Sequence, residues 1–134
     1  MDKWLKNRKC LLILIGFLSS ILASRLVVFF IEHHIGAFLF KYDVVHGYHI
    51  HHFSYGILIL LASGFISLFI DNRSDKFWLF LIFGVGSGLV IDEFAIWIRL
   101  DASYHQLASI IAIITITSFL LIASFVEHEI GKKL

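Results

Sequence analysis

Proline is missing altogether, cysteine occurs once, at Cys10, and charged residues fill only 16% of the 134 positions. A single cysteine excludes an internal disulfide and a cysteine-cage zinc site. A net charge of +1, with the charges bunched at segment ends, excludes the broad basic face that nucleic-acid binding requires. Strict apolar–polar alternation is also lacking, so the long apolar runs do not read as barrel strands.

What is abundant is apolar surface. Hydrophobic residues make up 59% of the chain, against roughly 45–50% in soluble domains, and the mean hydropathy is +0.89. Most of them lie in four runs, approximately 10–31, 53–70, 77–98 and 105–126. Each is close to the roughly 20 residues that cross a bilayer core as a helix. The first run follows the basic start "KWLKNRK", as a signal peptide would, but continues past "SSILAS" to Ile31, too long for a cleaved core. The expectation is one all-α domain over 1–134: a four-helix transmembrane bundle.

Lysine and arginine set its orientation. Lys3, Lys6, Arg8 and Lys9 at the start, Arg73 and Lys76 in "DNRSDK", and Lys132 and Lys133 at the end share one side if there are four spans. Both termini are then cytoplasmic. Seven of the eight histidines (33, 34, 46, 49, 51, 52 and 105) fall on the opposite, outer side. Arg25 in the first helix and Asp92 and Glu93 late in the third approach the same level.

The stretch "HGYHIHH" (46–52) holds four of those histidines. If it is helical, His46, His49 and His52 are three apart and lie on one stripe, with His49 and His52 side by side. Neutral imidazoles at that spacing suit a shared metal ion. The plainer reading is a wet interfacial patch, and it is the better one for His33, His34 and His51 taken singly. "GVGSGLVIDEF" (84–94) has neither the dinucleotide fingerprint nor the nucleophile-elbow spacing. Gly84 and Gly88 are a small-xxx-small pair that lets helices approach closely, and Asp92 is the next step on that face. Glu93 is about 100° round, beside Gly86 and Val90.

An ionisable residue in mid-membrane costs about 2.5–3.5 kcal/mol unless it is paired or bound. Arg25 neutralises only one of the two adjacent carboxylates, and the other calls for a cation or a proton. A structural salt bridge of Arg25 with Asp92 or Glu93 is the bland alternative. His105 heads the fourth helix, either as a ligand or as an interfacial cap. The terminal "EHEIGKK" reads as a solvated tail, and "NRS" at 72 falls on the cytoplasmic side, away from glycosylation. H-E-x-x-H, the di-iron E-x-x-H, Walker and EF-hand patterns are all absent.

"YHIHHFSYG" and "GVGSGLVIDEF", an HxHH and a GxGxGLxxDE pattern, resemble those of small prokaryotic four-helix integral membrane proteins. The resemblance covers the second and third helices; it implies a prokaryotic inner or plasma membrane and no activity.

Four functions follow. In the first, His49, His52, Asp92, Glu93 and His105, with His46 and His51 as further candidates, hold a divalent zinc or iron ion. An open coordination position would make a hydrolase of it, with Asp92 and Glu93 as catalytic carboxylates. Arg25 would grip the headgroup of a lipid or other amphiphile. The second is divalent-metal or proton transport, as a channel subunit or oligomer; the inner half, nearly all aliphatic or phenylalanine, counts against a path through one copy. The third is a redox protein with haem between His52 and His105. The fourth is an interaction module with no chemistry of its own.

Overall fold

The computed structural model describes residues 8–33, 51–70, 76–94 and 107–132, together with the backbone of 44–45 and 48–49. Four helices account for most of these residues: α1 Lys9–Glu32, α2 His52–Ser67, α3 Lys76–Asp92 and α4 Leu107–Gly131. Between α1 and α2, β1 (Val44–Val45) and β2 (Tyr48–His49) form a two-residue antiparallel pair, with Val44 opposite His49 and Val45 opposite Tyr48.

The helices have no polar face, because their apolar residues run all the way round. That is the pattern of a helix enclosed by an apolar medium or core rather than one lying on a wet surface. α1 and α4, at 24 and 25 residues, are long and apolar enough to cross a membrane; α2 and α3 are shorter, at 16 and 17. α2 stops at Ser67 and tightens: Leu68 and Phe69 donate to the carbonyls of Phe65 and Ile66, three residues back.

α3 is the hub, packed against α1, α2 and α4, while α1 also packs on α4. Two glycine faces make this possible. A Cβ at Gly84 would strike the Ile13 carbonyl, and one at Gly88 would strike Ser20 Oγ and the Phe17 carbonyl, so that face of α3 rests on the backbone of α1. On the other face a Cβ at Gly56 would lie 2.8 Å from the Gly86 carbonyl, so α2 and α3 touch through glycines as well. The core proper is small: Leu14, Phe17 and Leu120 close together between α1 and α4, with Ile21, Ile91, Ile113 and Ile116 around them.

Much of the remaining apolar surface faces outward. Leu22, Leu58, Leu61, Phe65, Phe119, Ile122 and Phe125 are each more than 60% exposed. Against this outward-facing hydrocarbon, the side chains buried most deeply include two acids, Asp92 at 2% exposure and Glu93 at 1%.

Candidate functional site

The spacing that sets the helix faces also sets the site. Gly84, Gly88 and Asp92 are four apart on α3, so the face that meets α1 ends in Asp92. There, Arg25 Nε donates to Asp92 Oδ1 over 2.6 Å and Arg25 Nη2 donates to the Asp92 backbone carbonyl over 3.3 Å. Ser24 Oγ donates to Asp92 Oδ2 over 2.8 Å. Of the two acids, Asp92 is the partner of Arg25.

Glu93, one residue on, is turned by about 100° toward α2. α2 begins without a side-chain cap of its own, since the residue at that position is His51. Its first amides therefore need an outside acceptor. Glu93 Oε2 supplies one, accepting from the Phe53 N–H over 2.9 Å, where a negative charge also suits the positive end of the helix dipole. His51 Nδ1 donates to Glu93 Oε1 over 3.0 Å.

His52 lies between the two acids. Its Nε2 is 3.1 Å from Asp92 Oδ2 and its Nδ1 is 3.4 Å from Glu93 Oε1. The carboxyl groups are sealed, with side-chain exposures of 1% for Asp92 and 0% for Glu93. The imidazoles are each 20% exposed and Arg25 29% exposed. The cluster is thus a buried acid pair roofed by two imidazoles and flanked by one guanidinium.

Several expectations about the histidines need revision. Had residues 46–52 been helical, His46, His49 and His52 would share a stripe. The chain instead pairs as β2 at Tyr48–His49, and α2 begins only at His52. His51, read singly as part of a wet interfacial patch, is a direct partner of Glu93. His33 closes α1 by bonding the Phe29 carbonyl at 2.9 Å, and its ring lies 4.1 Å from that of Phe29. His34, His46, His105 and the side chain of His49 lie outside the described residues. Among the described residues, no group of three or more histidine, cysteine, aspartate or glutamate side chains is arranged to hold a metal ion.

Ser24 and the Phe53 amide were not apparent from the sequence. Ser24 carried a faint signal, being a small hydroxyl one turn beyond Ser20 and adjacent to Arg25. A second unforeseen pairing lies at the opposite end. Glu127 Oε1 accepts from Lys9 N and its Oε2 from Cys10 N, each over 3.0 Å, so "EHEIGKK" is no mere solvated tail. Beside it, Arg8 Nη2 donates to His128 Nδ1.

No family model, curated protein or solved structure matches the chain.

Proposed function

We propose that the chain is a multi-pass membrane protein whose buried acid–imidazole cluster takes up and releases a proton, as the sensing or relaying element of a transport or channel subunit. Membrane residence is supported by α4: only 17% of its most apolar stretch is buried, where the core helix of a soluble protein would be mostly buried. In this reading α2 and α3, apolar but shorter, make up the other two of four passes. The distribution of lysine and arginine supports a reading with both termini in the cytoplasm and the cluster toward the outer surface.

The observation that carries the proposal is His52 between two sealed carboxylates. His52 Nε2 faces Asp92 Oδ2 and its Nδ1 faces Glu93 Oε1, oxygens that Ser24 and His51 already bond, so a hydrogen on each ring nitrogen, the cationic form, would add a contact to each acid. Two carboxylates and one guanidinium leave one negative charge, and one proton on the cluster cancels it. In a low-dielectric setting that neutrality matters, because an uncompensated buried charge is expensive. Between the cluster and the opposite end, the described helix interiors contain serines, threonines and Tyr55 but no acidic, basic or histidine side chain. Protons therefore reach the cluster from its own side, and a path across the membrane takes neighbouring copies.

A second reading keeps the cluster as a zinc or iron site, hydrolytic toward a lipid or other amphiphile. Its support is spacing: Glu93 Oε1 lies 3.0 Å from His51 Nδ1 and 3.4 Å from His52 Nδ1. Tetrahedral ligands around zinc stand about 3.3 Å apart. His49 and His105 would complete the set. Asp92 or Glu93 would serve as general base, and Arg25, though tied to Asp92, would face the headgroup. Haem between His52 and His105 has the least support, since both nitrogens of His52 already face carboxylates.

Proteoliposomes containing a trapped pH dye decide between these. Under the proton reading, an outside acid pulse gives an uptake signal that His52→Gln and Glu93→Gln each reduce at least tenfold. Elemental analysis of the same samples should find less than a tenth of an equivalent of metal. Stoichiometric metal, lost in both variants, would move the conclusion to the second reading. Neither signal would leave the cluster as an ion-pair scaffold.

A further inference from the structure

At the end remote from the acid cluster, where α1 begins, α2 ends and α3 begins, the helices part around a cavity of about 230 Å³. Its walls are Ile13 of α1, Ser63, Gly64 and Ser67 of α2, and Leu79, Phe80 and Phe83 of α3. The two serines add little polarity, because each spends its hydroxyl hydrogen on its own helix: Ser63 on the Leu60 carbonyl at 3.2 Å and Ser67 on the Gly64 carbonyl at 2.7 Å. A Cβ built on Gly64 meets no atom within 4 Å, so that wall is open. The cavity is dry in character and open on the side of the bundle.

A positive charge stands at its rim. Lys9 Nζ lies 5.7 Å from the ring centroid of Phe80, one of the wall residues, and Arg8 precedes it at the start of α1. Cations placed over an apolar cleft between membrane helices are the arrangement that receives an anionic lipid: the headgroup goes to the charge and the tail to the cleft. A soluble polar ligand fits poorly, since the walls offer it little to bond. An acyl chain arrives from the surrounding bilayer without leaving an apolar medium.

We infer that this cleft is a binding site for an anionic phospholipid, with one acyl chain between Phe80, Phe83 and Gly64 and the phosphate near Lys9. The inference rests on the membrane reading above but not on the chemistry of the acid cluster. Co-flotation of the wild-type chain with liposomes tests that membrane reading separately on the same preparations.

Lipid binding is read by native mass spectrometry and by the thermal midpoint of the full chain in micelles. Phosphatidylglycerol is compared with phosphatidylcholine of identical chains, and with glycerol phosphate as a headgroup without tails. Phosphatidylglycerol should bind at least fivefold tighter than phosphatidylcholine, and glycerol phosphate should not bind. Lys9→Gln should abolish the preference between the two lipids. Gly64→Leu, whose first added carbon meets open space, should weaken both lipids at least fivefold. Ser67→Leu repeats that test from the rim if Gly64→Leu does not fold. Equal binding of the two lipids to the wild type would overturn the inference, as would undiminished phosphatidylglycerol binding in folded Gly64→Leu. So would glycerol phosphate binding as tightly as the lipid, which would make this a plain phosphate site.

Discussion

The two ends of the bundle solve the same problem with different amounts of charge. At one end, α1 starts without a side-chain cap, and Glu127 of α4 closes it by accepting from Lys9 N and Cys10 N. At the other, α2 starts without a side-chain cap, and Glu93 of α3 closes it by accepting from Phe53 N. Each end also holds an arginine and a histidine: Arg8 donates to His128 at the first, while Arg25 and His52 both reach Asp92 at the second. The first end stops there, with a half-buried carboxylate. The second adds Asp92 alongside Glu93, seals both from solvent, and inserts His52 between them. Capping therefore accounts for Glu127 and for one contact of Glu93. It does not account for a second buried acid or a bridging imidazole, and the proposed proton chemistry rests on that excess.

The comparison is broken hardest at Asp92. Asp92→Ala strands Arg25, Ser24 and His52 around a vacated carboxylate site, and losing one partner of a buried ion pair costs about 3–5 kcal/mol. Denaturant unfolding in micelles should place it nearer the lower figure, because Arg25 keeps 29% side-chain exposure. No alanine substitution at the opposite end should match it.

Glu93→Ala against Glu127→Ala sharpens the contrast. Both remove a cap, but Glu93 also satisfies His51 and is sealed, so its loss should cost about 2–3 kcal/mol, as for bonds to charged groups. Glu127→Ala should cost about 1 kcal/mol, the usual worth of a cap. Equal losses would mean that the two ends differ only in burial.

Conservative changes give a smaller stability effect and a sharper functional one. Glutamine retains an acceptor for the backbone amide, so Glu93→Gln and Glu127→Gln should each lie within about 1 kcal/mol of wild type. Only Glu93→Gln should extinguish the proton signal. The least perturbing probe is the nitrogen-15 spectrum of His52, which separates a ring with two hydrogens from a neutral or metal-bound one. A neutral His52 throughout the working pH range would sink the proton reading while leaving the fold untouched.

The sequence made parts of this legible for identifiable reasons. The four helices follow from apolar runs that no proline interrupts. The faces of α3 follow from simple arithmetic: Gly84, Gly88 and Asp92 repeat every four residues, while Glu93 is about 100° round from Asp92, beside Gly86 and Val90 on the other side of the helix. Two contacting helices, α1 and α2, duly take one face each. Pairing of Arg25 with one of the acids was legible because an unpaired charge there is costly; which acid it chose was not, since that depends on the rotation of α3 against α1. The histidine stripe misled because spacing by three suggests a helix only where the backbone is helical, and β2 occupies Tyr48–His49. Glu127 was invisible because its partner is a backbone amide more than a hundred residues away, and main-chain donors leave no mark in a side-chain pattern.

Asp92 and Glu93 are neighbours in the chain, and between them they hold two helices: Asp92 meets α1 through Arg25 and Ser24 and α2 through His52, while Glu93 meets the start of α2, which makes the last turn of α3 a yoke. A substitution at Asp92 is therefore felt on two helices at once, and the seam between α1 and α2 depends on a single carboxylate that belongs to neither.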